Sequence, residues 1–295
     1  MTDLTDARLV PARPDLADIR LRGRVDAERY VAGRSGRLVA ASAPLRRRPS
    51  PEAGIETEAV MGDPVTLYDT GGGFAFVQLE TDGYVGYLPE AALALEAPAP
   101  THRVTALRTF LYPAATMKRP PLGHVSLGAG LGITGREGDF LRLADDGHGF
   151  TDGAYVFADH CAPIGTVEPD PAATAERLVG TPYLWGGRTS LGLDCSGLVQ
   201  LCLALAGVPS PRDADQQEAA LGTALPPRLD GLARGDLVFW RGHVGMMLDG
   251  TRLIHANGHH MAVAVEPLAV AVARISENSY GGVTSIRRLT PSAGS

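Results

Sequence analysis

Cysteine is scarce in this chain, with three residues in 295, against 36 glycines and 22 prolines. An odd and small number of cysteines does not build the disulfide framework that stabilises small secreted domains. Cys195 and Cys202 would lie about two helical turns apart on one predicted helix, so they cannot bridge each other. We therefore expect free thiols and a reducing compartment.

The chain has neither an excess of positive charge nor a long hydrophobic run. Lysine and arginine total 27 against 33 acidic residues, a net charge of -6, which argues against nucleic acid as the main partner. The longest apolar run, at 198–206, is far too short to span a bilayer. Met1–Arg8 lacks the basic start and apolar core of a secretory signal. We expect a cytoplasmic protein that binds neither nucleic acid nor membrane.

The abundance of glycine and proline indicates many turns and short strands, and the length suffices for two or three domains. Residues 1–35 are charged and poorly periodic, and we interpret them as an N-terminal extension with a short helix around 25–31. Residues 36–98 contain short alternating stretches, separated by Gly71-Gly72-Gly73 and by Asp82-Gly83, a strong hairpin signal. This pattern predicts a small all-β barrel.

Residues 99–165 repeat this pattern. In the first set, Phe76–Leu79 is followed by Asp82-Gly83. In the second set, Phe140–Leu143 is followed by Asp146-Gly147 at the same offset. Recurrence at a fixed spacing indicates two copies of one structural unit. We therefore predict a second small barrel after the first.

Residues 170–295 combine helical segments with a run of strands. A helix is predicted over 172–179, and several strand patterns follow between 237 and 265. This order is typical of an α+β fold. Between them, residues 198–206 are apolar on most of the circumference of a helix, which we expect to be buried and to end at Gly207.

The start of this apolar helix carries the clearest chemical signal. Asp194 is a good N-cap, which places Cys195 at the first helical position. A thiol there lies at the positive end of the helix dipole, beside unpaired backbone N–H groups, and both favour the thiolate. The alternative interpretation is a small apolar residue at the head of a core helix. The polar residues around the thiol and two histidines downstream favour a nucleophile.

Two histidines supply a base and an orienting group for such a thiol. His243 opens a predicted strand, and His255 ends the next one, across a turn at Asp249-Gly250. A hairpin of this length would place the two side chains next to each other. His243 would then accept the thiol proton, and His255 would hold the tautomer of His243.

A zinc site is the competing interpretation of these histidines. His255, His259 and His260 lie close together in the sequence, and Cys195 would be a fourth ligand. However, His259 and His260 fall in a glycine-led turn rather than on a helix face, and no glutamate base lies beside them. We therefore expect a site without metal or any other cofactor.

Six short motifs occur in the same part of the chain. They are Gly180-Thr181-Pro182-Tyr183-Leu184-Trp185-Gly186-Gly187, Asp194-Cys195-Ser196-Gly197, Pro211-Arg212-Asp213, Gly235-Asp236-Leu237-Val238-Phe239, Gly242-His243-Val244-Gly245 and Ile254-His255-Ala256. Together, residues 172–289 resemble the NlpC family of bacterial cell-wall cysteine peptidases, which have a papain-like fold. The resemblance implies Cys195 as the nucleophile, His243 as the base and His255 as the third member of a triad.

The first barrel is similar to bacterial SH3-like domains in its Asp-Gly-Tyr-x-Gly-Tyr pattern at 82–87. Two SH3-like domains ahead of such a catalytic domain are similar to the γ-D-glutamyl-L-diamino acid endopeptidases. That subgroup cleaves free murein peptides after L-Ala-γ-D-Glu and releases the dipeptide. The resemblance therefore implies an α+β, papain-like cysteine peptidase preceded by two small all-β SH3-like barrels. Its partner would be a murein peptide with a free N-terminal L-Ala, and its role murein peptide recycling.

The resemblance also implies where the peptide binds. The family's peptide-binding positions correspond to Tyr183, Asp194, Ser196 and Arg212. Asp194 would pair with the ammonium of L-Ala, and Arg212 would hold the D-Glu carboxylate or form an ion pair with Asp213. Trp185 would line the pocket or belong to the core. Ala214 stands where the subgroup tends to have serine, so one hydrogen bond to the substrate would be missing.

The first SH3-like domain would close the pocket on the amine side, and its candidate residues are Glu56, Glu58, Tyr84 and Tyr87. Two other functions are compatible with the sequence. The same triad would serve a papain-like amidase or acyltransferase acting on another substrate. Alternatively, the chain would be a peptidoglycan-binding module with a vestigial catalytic domain. The intact set of Cys195, His243 and His255 argues against this last function.

Overall fold

The computed structural model describes residues 6–145, 153–278 and 280–289. The chain divides into two units, Met1–Ile164 and Gly165–Ser295. No helix within the described ranges is long and apolar enough to cross a membrane. Asp146-Gly147, the predicted turn of the second barrel, lies outside the described residues. The finer domain boundaries at 35, 98 and 170 stay predictions.

The N-terminal extension is a small sheet rather than a helix. Its described strands are β1 (Ala12–Arg13), β2 (Leu16–Asp18) and β3 (Arg29–Val31), with a 3-10 helix at Ile19–Leu21. The predicted helix around 25–31 is wrong, because β3 pairs in parallel with β2 and Tyr30 and Val31 favour extended backbone. Leu16 packs with Tyr68 and Phe76, which attaches the extension to the following sheet of the first unit.

Residues 34–94 form one antiparallel sheet. Its described strands are β4 (Arg34–Leu38), β5 (Ser42–Arg46), β6 (Ile55–Val60), β7 (Pro64–Gly71), β8 (Phe74–Leu79), β9 (Val85–Pro89) and β10 (Leu93–Ala94), with a 3-10 helix at Glu90–Ala92. Their order is β10-β4-β7-β8-β9-β5-β6. Alternate residues of β8, among them Val77 and Leu79, enter the core. The predicted hairpin at Asp82-Gly83 is confirmed, because β8 and β9 pair across it and Gly83 adopts a positive φ.

Residues 102–163 form two further sheets. Their described strands are β11 (His102–Val104), β12 (Arg108–Tyr112), β13 (Gly123–Ser126), β14 (Gly130–Leu131), β15 (Ile133–Glu137), β16 (Phe140–Leu143), β17 (Tyr155–Phe157) and β18 (Cys161–Pro163), with a 3-10 helix at Ala158–His160. The orders are β14-β11-β18 and β13-β12-β17-β16-β15. Val60 and Met61 of the preceding sheet share this core. The approach is close at Gly62, where a Cβ would lie 2.6 Å from the carbonyl oxygen of Gly130, so a larger residue would force the backbones apart.

The second unit has the predicted α+β order. Its described helices are α1 (Pro171–Arg177), α2 (Cys195–Leu205), α3 (Ala214–Ala220) and α4 (Leu268–Asn278). Its described strands are β19 (Arg188–Thr189), β20 (Gly192–Leu193), β21 (Thr223–Leu225), β22 (Leu237–Trp240), β23 (His243–Met247), β24 (Arg252–Asn257), β25 (Ala262–Pro267) and β26 (Ser285–Arg288). The larger sheet is antiparallel, in the order β21-β26-β22-β23-β24-β25.

Helix α2 packs against β23 and β24, the strands that carry the two candidate histidines. All of its residues except Ala204 are buried, and Gly207 just beyond its end has a φ of 73°. Both features confirm the sequence prediction for this helix. The sequence analysis missed α4, which places Leu268, Ala271 and Ile275 on the core at helical spacing.

Candidate active site

Cys195 is the first residue of α2. Asp194 caps this helix, because its Oδ1 accepts a hydrogen bond from the backbone N–H of Gly197 at 2.7 Å. Cys195 is 8% exposed. Burial raises the pKa of its thiol to about 12 and the charge of Asp194 adds to the rise, whereas the backbone N–H of Val244 hydrogen-bonds the thiol and lowers it. The backbone N–H groups of Ser196 and Val244 act in the direction that the sequence predicts, but burial outweighs them, so the net shift favours the thiol.

The structure brings the two candidate histidines together. Nε2 of His243, at the start of β23, lies 2.8 Å from Nδ1 of His255 on β24. The pKa of His243 is lowered to about 3, chiefly by burial and also by the charges of His255 and Arg274, against the opposing effect of Glu266. Burial also lowers the pKa of His255. Both imidazoles are therefore neutral near pH 7, and each carries a single ring proton.

A carboxylate that the sequence analysis missed lies behind His255. Oε1 of Glu266, on β25, is 2.7 Å from Nε2 of His255, and Arg274 of α4 donates a hydrogen bond to the same oxygen. His255 lies opposite Ala264 in the β24–β25 register, so Glu266 is its diagonal neighbour. The register of this hairpin was the signal that could have identified Glu266 from the sequence.

Asp194 and Arg212 form an ion pair beneath the start of α2. Nη2 of Arg212 lies 2.7 Å from Oδ2 of Asp194, and Nη1 lies 3.0 Å from Oδ1 and 2.9 Å from Oγ of Ser196. Asp194 also accepts the N–H groups of Gly186 and Gly197. The carboxylate of Asp194 therefore joins the turn before α2, the first turn of α2 and Arg212.

This network bears on two sequence predictions. Asp194 and Arg212, which is 1% exposed, form a buried ion pair, and their predicted contacts with a substrate ammonium and carboxylate stay predictions. The ion pair between them is one that neither sequence alternative for Arg212 contained. Ser196 is likewise buried and donates to Asp194. Asp194, Ser196 and Arg212 therefore form a hydrogen-bonded network that stabilises the first turn of α2.

Tyr183 and Tyr280 lie beside the candidate site, and Trp185 is two residues from Tyr183 in the chain. Burial raises the pKa of Tyr183, and the charges of Cys195 and Asp194 act in the same direction, so its phenol keeps its proton. Trp185 is 68% exposed, so its alternative assignment to the core is wrong. The ring of Tyr280 stacks on His243 with the centroids 5.6 Å apart and the planes 7° from parallel. No sequence pattern pointed to Tyr280.

Two further sequence predictions concern positions around the site. Ala214 is the first residue of α3 and is buried. On the same helix, Nε2 of Gln217 donates to the carbonyl oxygen of Ser196 at 3.0 Å, which ties α3 to the start of α2. Ala214 has a methyl group where the subgroup tends to have a serine hydroxyl. The expected loss of one hydrogen bond to the substrate stays a prediction.

The ligands proposed for zinc are engaged in other contacts. His255 uses both ring nitrogens, one toward His243 and one toward Glu266. Nδ1 of His260 lies 3.0 Å from Oδ1 of Asn257. Within the part of the chain that the structure describes, no three His, Cys, Asp or Glu side chains are grouped as a metal site. The geometry favours the triad interpretation of these histidines over the zinc interpretation.

The candidates in the first unit differ in accessibility. Glu56, Tyr84 and Tyr87 line a cavity of about 410 Å³ within that unit. Glu58 is buried, and so is the body of Tyr84. Glu56 accepts hydrogen bonds from Arg47 at 3.0 Å and from the Tyr84 hydroxyl at 3.4 Å. Of the four candidates, Glu56 and Tyr87 therefore offer the most accessible polar groups.

Comparison with known families agrees with this arrangement. Residues 180–276 match the NlpC/P60 family, and residues 45–93 match the bacterial dipeptidyl-peptidase Sh3 domain. The chain carries an NlpC/P60 domain. Cys195, His243, His255 and Glu266 all lie inside the NlpC/P60 match, whereas Tyr280 lies beyond it. The predictions of this family and of a cysteine peptidase are confirmed.

Individual relatives match this chain over different lengths. The NlpC/P60 protein is 27% identical to a γ-D-glutamyl-L-lysine dipeptidyl-peptidase of Bacillus cereus, over 72% of this chain and 71% of the relative. It is 26% identical to the enzyme of that name from Bacillus subtilis, over 68% and 72%. Dipeptidyl-peptidase 6 of Lysinibacillus sphaericus is 36% identical, but the match spans only 35% of either chain. A crystal structure of an NlpC/P60 family protein from Bacillus cereus superposes with a TM-score of 0.71 at 21% identity, covering 87% of this chain and 100% of that one, which supports the papain-like fold.

Proposed function

We propose that this NlpC/P60 peptidase hydrolyses the bond between γ-D-glutamate and a diamino acid in free murein peptides such as L-Ala-γ-D-Glu-diaminopimelate, releasing L-Ala-D-Glu. The observation that carries the proposal is a thiol at the start of α2, hydrogen-bonded by the residue that follows His243, with His243 held 2.8 Å from His255. The names of the two Bacillus relatives, which match about seven tenths of this chain, support the substrate class.

His243 is the base of the proposed mechanism. Its Nε2 is hydrogen-bonded to His255, so Nδ1 is the ring nitrogen that is left for the thiol. Because burial favours the neutral form of both Cys195 and His243, the resting pair is a thiol and an imidazole. Proton transfer from sulfur to Nδ1 therefore accompanies the attack rather than preceding it. His255 restrains the rotation of the His243 ring during this step.

The proposed reaction has two chemical steps. Sγ of Cys195 attacks the γ-carbonyl carbon of D-glutamate, and the resulting oxyanion accepts hydrogen bonds from the backbone N–H of Cys195 and from the protonated phenol of Tyr183. His243 then gives its proton to the amine of the diamino acid as the C–N bond breaks, which leaves a thioester. In the second step, His243 removes a proton from water as the water oxygen attacks the thioester carbon. The C–S bond breaks, L-Ala-D-Glu leaves with its new carboxyl group, and His243 returns the proton to Sγ of Cys195.

Apolar surface near Tyr183 contributes to the proposed substrate selection. The backbone N–H of Tyr183 donates a hydrogen bond to the carbonyl oxygen of Met261 at 2.9 Å, which brings their two segments together. The exposed side chains of Trp185 and Met261 lie on these segments and offer apolar surface to the peptide. Selectivity for a free N-terminal L-Ala needs an accessible carboxylate. Asp194, whose side chain is 11% exposed beside Cys195, is the candidate for this role.

Two other parts of the proposal extend the sequence analysis. Residues 99–165 form a second SH3-like barrel, which is supported by the five-stranded and three-stranded sheets described there and by a core that their side chains build together with Val60 and Met61. The enzyme works on liberated peptides in the cytoplasm during murein peptide recycling. The three cysteines, all of which are free, are compatible with a reducing compartment. Cell fractionation with an antibody against the protein would test this location.

Mass spectrometry of reaction products tests the proposal. The full-length protein is incubated with L-Ala-γ-D-Glu-diaminopimelate, with its lysine counterpart and with the N-acetylated form of each. We expect L-Ala-D-Glu from the free peptides, slower release from the acetylated ones, and no product from Cys195→Ala. Cleavage at another bond contradicts the proposal. Transfer to an added amine would favour the acyltransferase alternative, and binding to sacculi without cleavage of any peptide would favour the binding module.

A further inference from the structure

A hydrogen-bonded row of side chains extends from His243 through His255 to Glu266 and Arg274. His255 is fully buried and Glu266 is 8% exposed, so water does not compete for these contacts. Nε2 of His255 lies 2.7 Å from Oε1 of Glu266, and Arg274 donates to the same oxygen. An ionised carboxylate accepts hydrogen bonds and donates none. The single ring proton of a neutral His255 must therefore be on Nε2.

The position of this proton determines which nitrogen donates and which accepts in the hydrogen bond between His243 and His255. With its proton on Nε2, His255 offers an unprotonated Nδ1 to the Nε2 of His243 at 2.8 Å. Nε2 of His243 must then carry the proton, which leaves its Nδ1 unprotonated. If the His255 tautomer were reversed, Nδ1 of His243 would be protonated and could not accept a proton from the thiol.

We propose that Glu266 is a positioning residue: it holds His255 in the tautomer that leaves Nδ1 of His243 free to accept the Cys195 proton, and its charge stabilises the imidazolium that forms. The inference rests on the proposed function of Cys195 and His243. It concerns a residue that acts through His255 and touches neither the thiol nor the substrate. Arg274 supports the role, because a cation beside Glu266 keeps the carboxylate ionised.

The charges around the row agree with this role. Burial, His255 and Arg274 lower the pKa of His243, and Glu266 raises it. Burial raises the pKa of Glu266, but the hydrogen bond from His255 and the charges of His255 and Arg274 bring it below its ordinary value. Among the described residues, His260 in the turn before β25 lies near His255, the ring of Tyr280 stacks on His243, and Cys195 on α2 is hydrogen-bonded by the N–H of Val244 next to His243. Glu266 therefore supplies the negative charge that offsets the positive ones.

Three variants separate the charge of Glu266 from its size. Glu266→Gln keeps an oxygen that accepts a hydrogen bond but removes the charge, and Glu266→Asp keeps the charge on a shorter side chain. Glu218→Gln is the matched control, because Glu218 accepts a hydrogen bond from Oγ of Ser285 at 2.7 Å elsewhere in the same unit. The measurement is the rate at which iodoacetamide alkylates Cys195, from acid to alkaline pH, followed on the Cys195 peptide by mass spectrometry.

We expect Glu266→Gln to react about tenfold more slowly than wild type near neutral pH, since each lost pKa unit of the base corresponds to a factor of ten. The difference should shrink as the pH rises, because the thiol then ionises without the base. The acid limb of the profile should move to lower pH, because a weaker base stays neutral in more acid solution. Glu266→Asp should restore most of the rate, and Glu218→Gln should follow wild type.

The outcomes distinguish this inference from the proposed function. A wild-type Cys195 that reacts only at alkaline pH contradicts the thiol–imidazole mechanism and the inference with it. A reactive wild type beside an unchanged Glu266→Gln contradicts the role of Glu266 alone. So does a rate loss that is equal at every pH, because that is the signature of a structural defect. If Glu266→Gln does not fold, the nitrogen-15 shifts of wild-type His255 decide, and a proton on Nδ1 overturns the inference.

Discussion

Replacement of Arg212 by methionine should destabilise the second unit far more than the loss of a surface ion pair. The side chain of Arg212 is 0% exposed and that of Asp194 is 11% exposed. In Arg212→Met, Asp194 keeps its bonds from Gly186 and Gly197 but loses its counter-charge. Removing one partner of a buried ion pair costs about 3–5 kcal/mol, whereas an exposed pair contributes roughly 0–1 kcal/mol. We therefore expect Arg212→Met to lower the free energy of unfolding by about 3 kcal/mol or more.

A double-mutant cycle assigns this loss to the pair. Asp194→Asn removes the charge but keeps a residue type that caps helices well. The double variant should therefore be about 2 kcal/mol more stable than the sum of the two single losses predicts. For a unit of this size, a loss of 3 kcal/mol lowers Tm by roughly 10 °C. Arg234→Met is the control, because Arg234 makes partly exposed ion pairs with Asp170 and Glu176 in the same unit.

Tryptophan fluorescence during urea unfolding is a suitable assay. Both tryptophans, Trp185 and Trp240, belong to the second unit, so the signal reports the unfolding of that unit alone. The reasoning is refuted if Arg212→Met loses no more stability than Arg234→Met. It is also refuted if the two single losses simply add in the double variant, because the carboxylate and the guanidinium would then not depend on each other.

Three further predictions concern catalysis. Cys195→Ala should abolish turnover, whereas Cys202→Ala, in the buried middle of α2, should lower stability and keep activity; a folded but inactive Cys202→Ala would contradict the nucleophile assignment. Tyr280→Ala should lower kcat/KM roughly three- to tenfold, since an aromatic contact contributes about 0.5–1.5 kcal/mol. Tyr280→Phe keeps the stacked ring and should match wild type. A loss of activity in Tyr280→Phe would show that the hydroxyl matters rather than the stack. Chelation by EDTA should leave hydrolysis unchanged, because both ring nitrogens of His255 are engaged; a loss that zinc restores would overturn the triad.

The features that could be predicted from the sequence are those with local causes. An N-cap and a terminal glycine define α2, because capping and positive φ act within one turn of the helix. Asp82-Gly83 determines the β8–β9 hairpin for the same reason. The contact between His243 and His255 could be predicted although the residues lie on different strands. A short hairpin allows few registers in which both strands keep their apolar faces buried, and these registers bring the two histidines together.

Local preference was insufficient where packing decides. The Val and Ala residues of 268–278 suggest a strand as readily as a helix, and only the buried set Leu268, Ala271 and Ile275 shows the helical spacing. In the opposite direction, charged residues around 25–31 suggest an exposed helix. The pairing of Arg29–Val31 with Leu16–Asp18 gives these backbone groups partners that a helical preference cannot reveal.

The chemistry of the thiol shows most clearly why burial must be known. From the sequence, a cysteine at a helix start has a lowered pKa, because the dipole and the free N–H groups stabilise its anion. In the folded protein the same helix is buried along nearly its whole length, and the capping carboxylate of Asp194 adds a negative charge beside the sulfur. Removal of water outweighs a few oriented dipoles. Since the helix start alone does not produce a thiolate, the reactivity of Cys195 depends on the base strength of His243. That base strength depends in turn on His255, which is hydrogen-bonded to His243, and on the carboxylate of Glu266.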